Sequence, residues 1–190
     1  MDTTGDPDID ALHSVTTRLV DAVASIEPDQ WILAAPCTDW DLTALIDHIT
    51  GGNWFTVAIL AGQTSVDAMS SAHEMFAGGS ATSDAAIQSL HDQSRAFLDP
   101  EALLRIWSHV AGDLGGRQIL RLRLHDLIVH SWDVQESLRP GATLPDDLVR
   151  WGLEELGAED SLTADHFGLD VGPVRGSTGP SRAYLQVFGR

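Results

Sequence analysis

Between Arg123 and Asp133 the chain reads Arg-Leu-His-Asp-Leu-Ile-Val-His-Ser-Trp-Asp, which sets two histidines, two carboxylates and an arginine in an otherwise apolar stretch. On a helix, residues four apart are turned by about 40° and displaced by one turn. Asp126 and His130 have that spacing, and Arg123 precedes Asp126 by three, so it shares their face. A carboxylate and an imidazole stacked in this way can grip one divalent ion. Two ligands from one helix rarely suffice, so a third must come from elsewhere in the chain. Asp133 reaches the same face and can accept from the ring of His130, which would orient it. Arg123 can pair with Asp126 or meet a carboxylate substrate; the structural pairing is favoured because it needs no ligand. His125, five before His130, lies about 140° round the axis and does not easily share a metal with it.

The elements that must position these residues are helices. Leu12, Val15, Leu19, Val23 and Ile26 recur at three and four, predicting a helix over 9–27 that stops before Pro28. Asp41 is placed to cap a second helix running to about Leu60, with Trp40 and Leu45 at the positions of a hydrophobic staple. His48 sits at the edge of that helix's apolar side. Residues 63–80 read as loop with a short helix around Val66–Phe76. A third helix is expected from Ser83, as cap, to Leu98, and an extended or hairpin-like connection over 101–116. The fourth helix, from about Gly116 to Leu138, carries the Arg123–Asp133 stretch. Its apolar side uses Leu120, Leu124, Leu127, Val134 and Leu138, with Ile119 and Leu122 at the start of the polar face. Leu144–Leu156 reads as a short helix with Pro145 at its first turn. In the Gly- and Pro-rich tail, Val171 and Val174 suggest a short strand or turn, and Arg182–Phe188 a last ordered piece.

Four amphipathic helices of similar length predict an all-α four-helix bundle, with a short extra helix and a small irregular C-terminal tail outside it. The expected division is a bundle domain over 1–160 and a tail over 161–190. Bundles build metal sites from inward side chains on facing helices. His48 from the second helix then joins Asp126 and His130 from the fourth. Two imidazoles and one carboxylate leave coordination positions open, as catalytic sites do. The same three residues can also form only a buried hydrogen-bond network. His13, His73, His91, His109 and His166 show no ligand spacing and are expected at the surface.

The chain has 190 residues and a formal net charge of −17, and all of its 11 basic residues are arginine. That balance argues against nucleic acid and anionic membranes as partners. A single cysteine, Cys37, excludes an internal disulfide framework and fits a reducing cytoplasm; it reads as a packed thiol, with a catalytic thiol as the lesser alternative. The acidic first residues lack an apolar h-region, so no signal peptide is expected, and no run is long enough for a membrane span.

Four segments carry a resemblance: Pro36-Cys37-Thr-Asp-Trp40-Asp-Leu-Thr-Ala-Leu-Ile-Asp-His48; Gly62; Arg123 to Val134; and Arg182 to Arg190. In order and content they resemble the metal-binding proteins related to mycothiol-dependent maleylpyruvate isomerase, within the DinB/YfiT-like superfamily. The resemblance implies a divalent metal, usually zinc, held by His48, Asp126 and His130. Where the isomerase has glutamate this sequence has Asp126, one methylene shorter, so a metal would sit nearer the fourth helix or be met through a water. The implied activity is mycothiol-dependent isomerisation or thiol S-transfer, with a small-molecule thiol and an electrophile as partners. A non-catalytic, metal-stabilised bundle with a binding or stress-response role is the alternative. The fold would act as a monomer or homodimer.

Overall fold

The computed structural model describes residues 5–37, 39–158, 163 and 179–190. Its described elements run α1 (Pro7–Ala24), α2 (Leu42–Leu60), α3 (Ser65–Glu74), α4 (Ser83–Phe97), α5 (Pro100–Leu104), β1 (Ile106–His109), β2 (Gly112–Gly115), α6 (Gly116–Leu138), α7 (Asp146–Leu156) and α8 (Pro180–Val187). The bundle is α1, α2, α4 and α6: α1 packs on α4 and α6, and α2 on α4 and α6.

Local chemistry explains where the helices begin. Asp6 caps α1 by accepting from Asp8 N at 3.1 Å, with Pro7 in the first turn. Asp41 caps α2 through Ala44 N at 2.8 Å. Thr82, not Ser83, caps α4, accepting from Ala85 N at 3.2 Å. Either hydroxyl is competent, and the extended backbone at Thr82 decides between them. The connection over 101–116 holds one helical turn, α5, and then an antiparallel hairpin in which Trp107 faces Leu114. Trp107 is buried and donates to the Ala102 carbonyl at 2.8 Å, which locks hairpin to turn. The last piece of the chain is a helix, α8, packed on α7. The expectation for Val171 and Val174, and that for His166, lie outside the described residues.

The helix α6 is the axis of the molecule. Leu120, Leu124, Leu127 and Ile128 are fully buried, each contributing about 2 kcal/mol through apolar burial. Ile119 and Leu122, expected on a polar face, are buried as well. The reason is tertiary: α3 and the hairpin turn cover that side and make it an inner wall. No helix among the described residues is long and apolar enough to cross a membrane.

Candidate metal centre

The site forms where α2 crosses α6. His48 Nε2 lies 3.3 Å from Asp126 Oδ1, and His130 Nε2 lies 3.4 Å from the same oxygen. One ligand atom from each of the three residues falls within 4.8 Å of the others. His48 is partly exposed, whereas Asp126 and His130 are largely covered. The expected trio is therefore brought together, with one solvent-facing member.

Two arginine–carboxylate pairs flank it. Arg123 is buried and ion-paired with Asp126 Oδ2. Its Nε donates to Gln93 Oε1 at 2.9 Å, and Nη2 to the Ile49 carbonyl at 2.7 Å and Asn53 Oδ1 at 2.9 Å. The guanidinium is thus clamped between α2, α4 and α6, and it leaves only Oδ1 of Asp126 facing the imidazoles. On the other side, His130 Nδ1 donates to Asp133 Oδ2 at 2.9 Å. Asp133 is fully buried and receives Arg190 Nε on Oδ1 at 2.8 Å and Nη2 on Oδ2 at 3.1 Å.

The electrostatics follow. Burial acts to raise the Asp126 pKa, but the Arg123 charge and the two imidazoles prevail and hold it well below the usual carboxylate range. Burial acts to lower His130, yet Asp126 and Asp133 outweigh it and raise the imidazole to about 9. Without a competing cation, His130 is an imidazolium near neutral pH that donates to both carboxylates.

A metal fits this donor set. An ion with tetrahedral bonds of ~2.1 Å separates its ligand atoms by about 3.4 Å. The His48–Asp126 and His130–Asp126 separations, 3.3 and 3.4 Å, match that spacing, and the two imidazole nitrogens lie within 4.8 Å of each other. The Asp133 contact also holds His130 with Nε2 toward the cluster, the carboxylate–imidazole arrangement typical of bound histidines.

Further residues surround the site. Trp40, expected as a staple residue, lies against both rings, with centroids 5.0 Å from His48 and 6.2 Å from His130. Cys37 is buried beside His130 and Asp133, with ligand atoms within 4.8 Å; burial first, and then Asp133, pushes its thiol pKa up, so it stays protonated. Gly51 and Gly52 do carry a readable signal, because two glycines inside a helix cost roughly 1 kcal/mol each and call for a packing reason. A Cβ at Gly52 would stand 2.7 Å from Arg123 Nη1, and one at Gly51 would stand 3.2 Å from the Phe76 ring. His125 is buried away from the site, 2.7 Å from Tyr184 Oη and 2.6 Å from Glu155 Oε2. Among the other histidines, His13, His73 and His91 are exposed and His109 is half-buried against Phe55.

A cleft of about 490 Å³ opens in front of His48 and Asp126, walled by α2, α3, α6 and the hairpin turn.

Residues 12–135 match the mycothiol maleylpyruvate isomerase N-terminal domain. The chain belongs to that family. In overall structure it is similar to the mycothiol-dependent maleylpyruvate isomerase: TM-score 0.57 at 12% identity, covering 78% of this chain and 68% of that one. A point mutant of the same enzyme gives TM-score 0.61 at 13% identity over the same shares. These likenesses establish the helical DinB-like fold. Uncharacterised proteins from two strains of Mycobacterium tuberculosis are 24% identical over 150 residues, covering 76% of this chain and 73% of theirs.

Proposed function

We propose that the chain is a divalent-metal-dependent enzyme that uses mycothiol as cosubstrate, acting as an isomerase or S-transferase. The observation that carries this reading is the convergence of His48 Nε2, His130 Nε2 and Asp126 Oδ1 beside a cleft that His48 and Asp126 line. These three residues would hold the ion, and two imidazoles with a carboxylate suit zinc, iron or nickel. When bound, such an ion supplies Lewis acidity that lowers a thiol's pKa toward neutrality.

The chain's own residues set up the rest. Asp133 orients His130, and Arg123 neutralises Asp126 while holding its free oxygen toward the imidazoles. Trp40 covers both rings and limits water on that side. In isomerisation, the thiol sulfur adds to a conjugated double bond, the resulting single bond rotates, and loss of the thiolate restores the double bond in the other geometry. In S-transfer the sulfur displaces a leaving group and remains on the product. Residues 1–160 would form the metal-binding domain, with 161–190 as a tail that returns Arg190 to the site. Placement in the cytoplasm fits a thiol cosubstrate and a single unpaired cysteine.

The test is metal analysis of untagged protein, followed by turnover of an electrophile with mycothiol. Near-stoichiometric zinc that disappears in His130→Ala, with thiol-dependent turnover lost in His48→Ala, supports the reading. Metal-free protein of unchanged stability leaves only a polar network around Asp126, with His48 and His130 at 3.3 and 3.4 Å. Bound metal without thiol-dependent turnover selects the non-catalytic, metal-stabilised alternative.

A further inference from the structure

We infer that the cleft beside the metal centre takes an uncharged, apolar electrophile rather than a dicarboxylate. The inference rests on the metal–thiol reading for the word electrophile, but its physical basis is the wall of the cleft.

That wall is apolar where a substrate body would lie. Phe55 comes from α2, Met69 from α3, Phe76 from the turn after α3, Val110 from the hairpin turn, and Ile119 and Leu122 from α6. Such a lining favours a ligand that brings hydrocarbon and no charge, because each apolar contact removes water while an unpaired ion would lose its hydration.

The charges present point the same way. Among the described residues of the cleft, Arg123 is the one arginine, and the chain has no lysine. All three guanidinium nitrogens are already engaged, with Asp126, Gln93, Asn53 and the Ile49 carbonyl. Gly52 presses the α2 backbone against the same group, since even a Cβ there would stand 2.7 Å away. Arg123 is therefore built in as a structural cation and not as a carboxylate clamp. Two carboxylates, Asp47 and Asp126, also line the cleft. Asp47 accepts from Ala81 N at 2.7 Å and has no cation in that contact. Asp126 is already paired with Arg123, so Asp47 is the carboxylate a dianion would meet, and no arginine or lysine among these residues is free to pair with that dianion. The other polar side chains that could reach it are His48, which faces Asp126, and His73 and His109.

The comparison that isolates charge uses one carbon skeleton. Diethyl maleate is uncharged, whereas maleate is a dianion. N-phenyl-1-naphthylamine, an uncharged fluorophore, reports occupancy of the cleft by its rise in emission. The assay uses the full-length protein as purified, at pH 8, with no thiol present. The expected result is saturable 1:1 binding, displaced by diethyl maleate at a concentration at least about tenfold below that needed for maleate. Met69→Arg places a cation on a half-exposed wall residue and should narrow that ratio toward one. Ala72→Trp fills the cleft and should abolish fluorophore binding. Should Ala72→Trp not fold, Met69→Arg and the ratio itself still decide.

Maleate competing as well as its diester overturns the inference, and so does fluorophore binding unchanged in folded Ala72→Trp. Because no thiol or turnover enters the assay, its failure is separable from failure of the metal–thiol reading. A protein that prefers the diester but binds no zinc retains the ligand class and loses the proposed chemistry. A zinc protein that prefers maleate does the reverse.

Discussion

Arg190 reaches back to Asp133, donating from Nε at 2.8 Å and from Nη2 at 3.1 Å, and Asp133 in turn holds His130 at 2.9 Å. A side chain from the C-terminal segment thereby sets the ring of a residue in the central helix. Arg190→Ala leaves Asp133 buried beside His130 without its cation. Loss of a charged hydrogen-bonded pair predicts destabilisation of about 2–3 kcal/mol in urea unfolding. Asp133→Asn should weaken zinc binding by about 10- to 100-fold, because it removes the group that orients His130. Unchanged zinc affinity in Asp133→Asn would remove Asp133 from the site.

The proton on His130 gives a pH dependence of defined sign. Its pKa is raised from 6.5 to about 9 in the folded protein. The stabilisation is fully present below the unfolded value and is lost as pH rises through the folded one. For the metal-free protein, unfolding free energy should fall by roughly 3 kcal/mol between pH 6.5 and pH 9.5. His130→Gln should remove that slope. Zinc must displace the same proton, so its apparent affinity should rise about tenfold per pH unit from pH 6.5 to pH 9. A zinc titration across that range by calorimetry checks it, and a flat profile would contradict the role given to Nε2.

Adjacent glycines in α2 should respond differently to the same change. Alanine normally favours a helix by about 1 kcal/mol over glycine. At Gly52 the added Cβ meets the clamped Arg123 guanidinium at 2.7 Å, which has no room to retreat. Gly52→Ala is expected to be net destabilising by about 1–3 kcal/mol. At Gly51 the neighbour is the edge of the Phe76 ring at 3.2 Å, a half-buried side chain in the turn after α3. Gly51→Ala should therefore be near neutral. Thermal unfolding of the pair measures the contrast.

His125 tests the division of labour along α6. It is fully buried, with Tyr184 and Glu155 as partners from α8 and α7. His125→Phe removes the ring nitrogens from both buried contacts and should cost about 2–4 kcal/mol. Zinc stoichiometry, read by elemental analysis, should stay the same. A loss of metal without a loss of stability would reverse the assignment of its role.

The helical plan was legible because it is written in local chemistry. Asp41 as a cap, the three-and-four spacing of Leu12, Val15 and Leu19, and the breaker Arg139-Pro140-Gly141 each act within a few residues. The pair Asp126 and His130 was legible for the same reason, since one helix carries both. Sequence and structure part where a choice depends on neighbours distant in the chain. Thr82 and Ser83 are equally able to cap, and Ile119 and Leu122 looked exposed until α3 and the hairpin covered them. Trp40 has the position of a staple on its own helix, yet its rings meet histidines of two helices.

The sequence by itself determined the helices, their order, the acidic and lysine-free surface, and the facing of Asp126 and His130. Periodicity, capping and charge are properties of short stretches, and so they survive without a fold. Only the tertiary structure decided that His48 meets that pair and that Arg123 is tied to Gln93, Asn53 and the Ile49 carbonyl. It alone brought Arg190 back to Asp133 and gave the cleft its largely apolar walls. Those relationships join residues tens of positions apart, and helix packing, not any local rule, brings them within a hydrogen bond of each other.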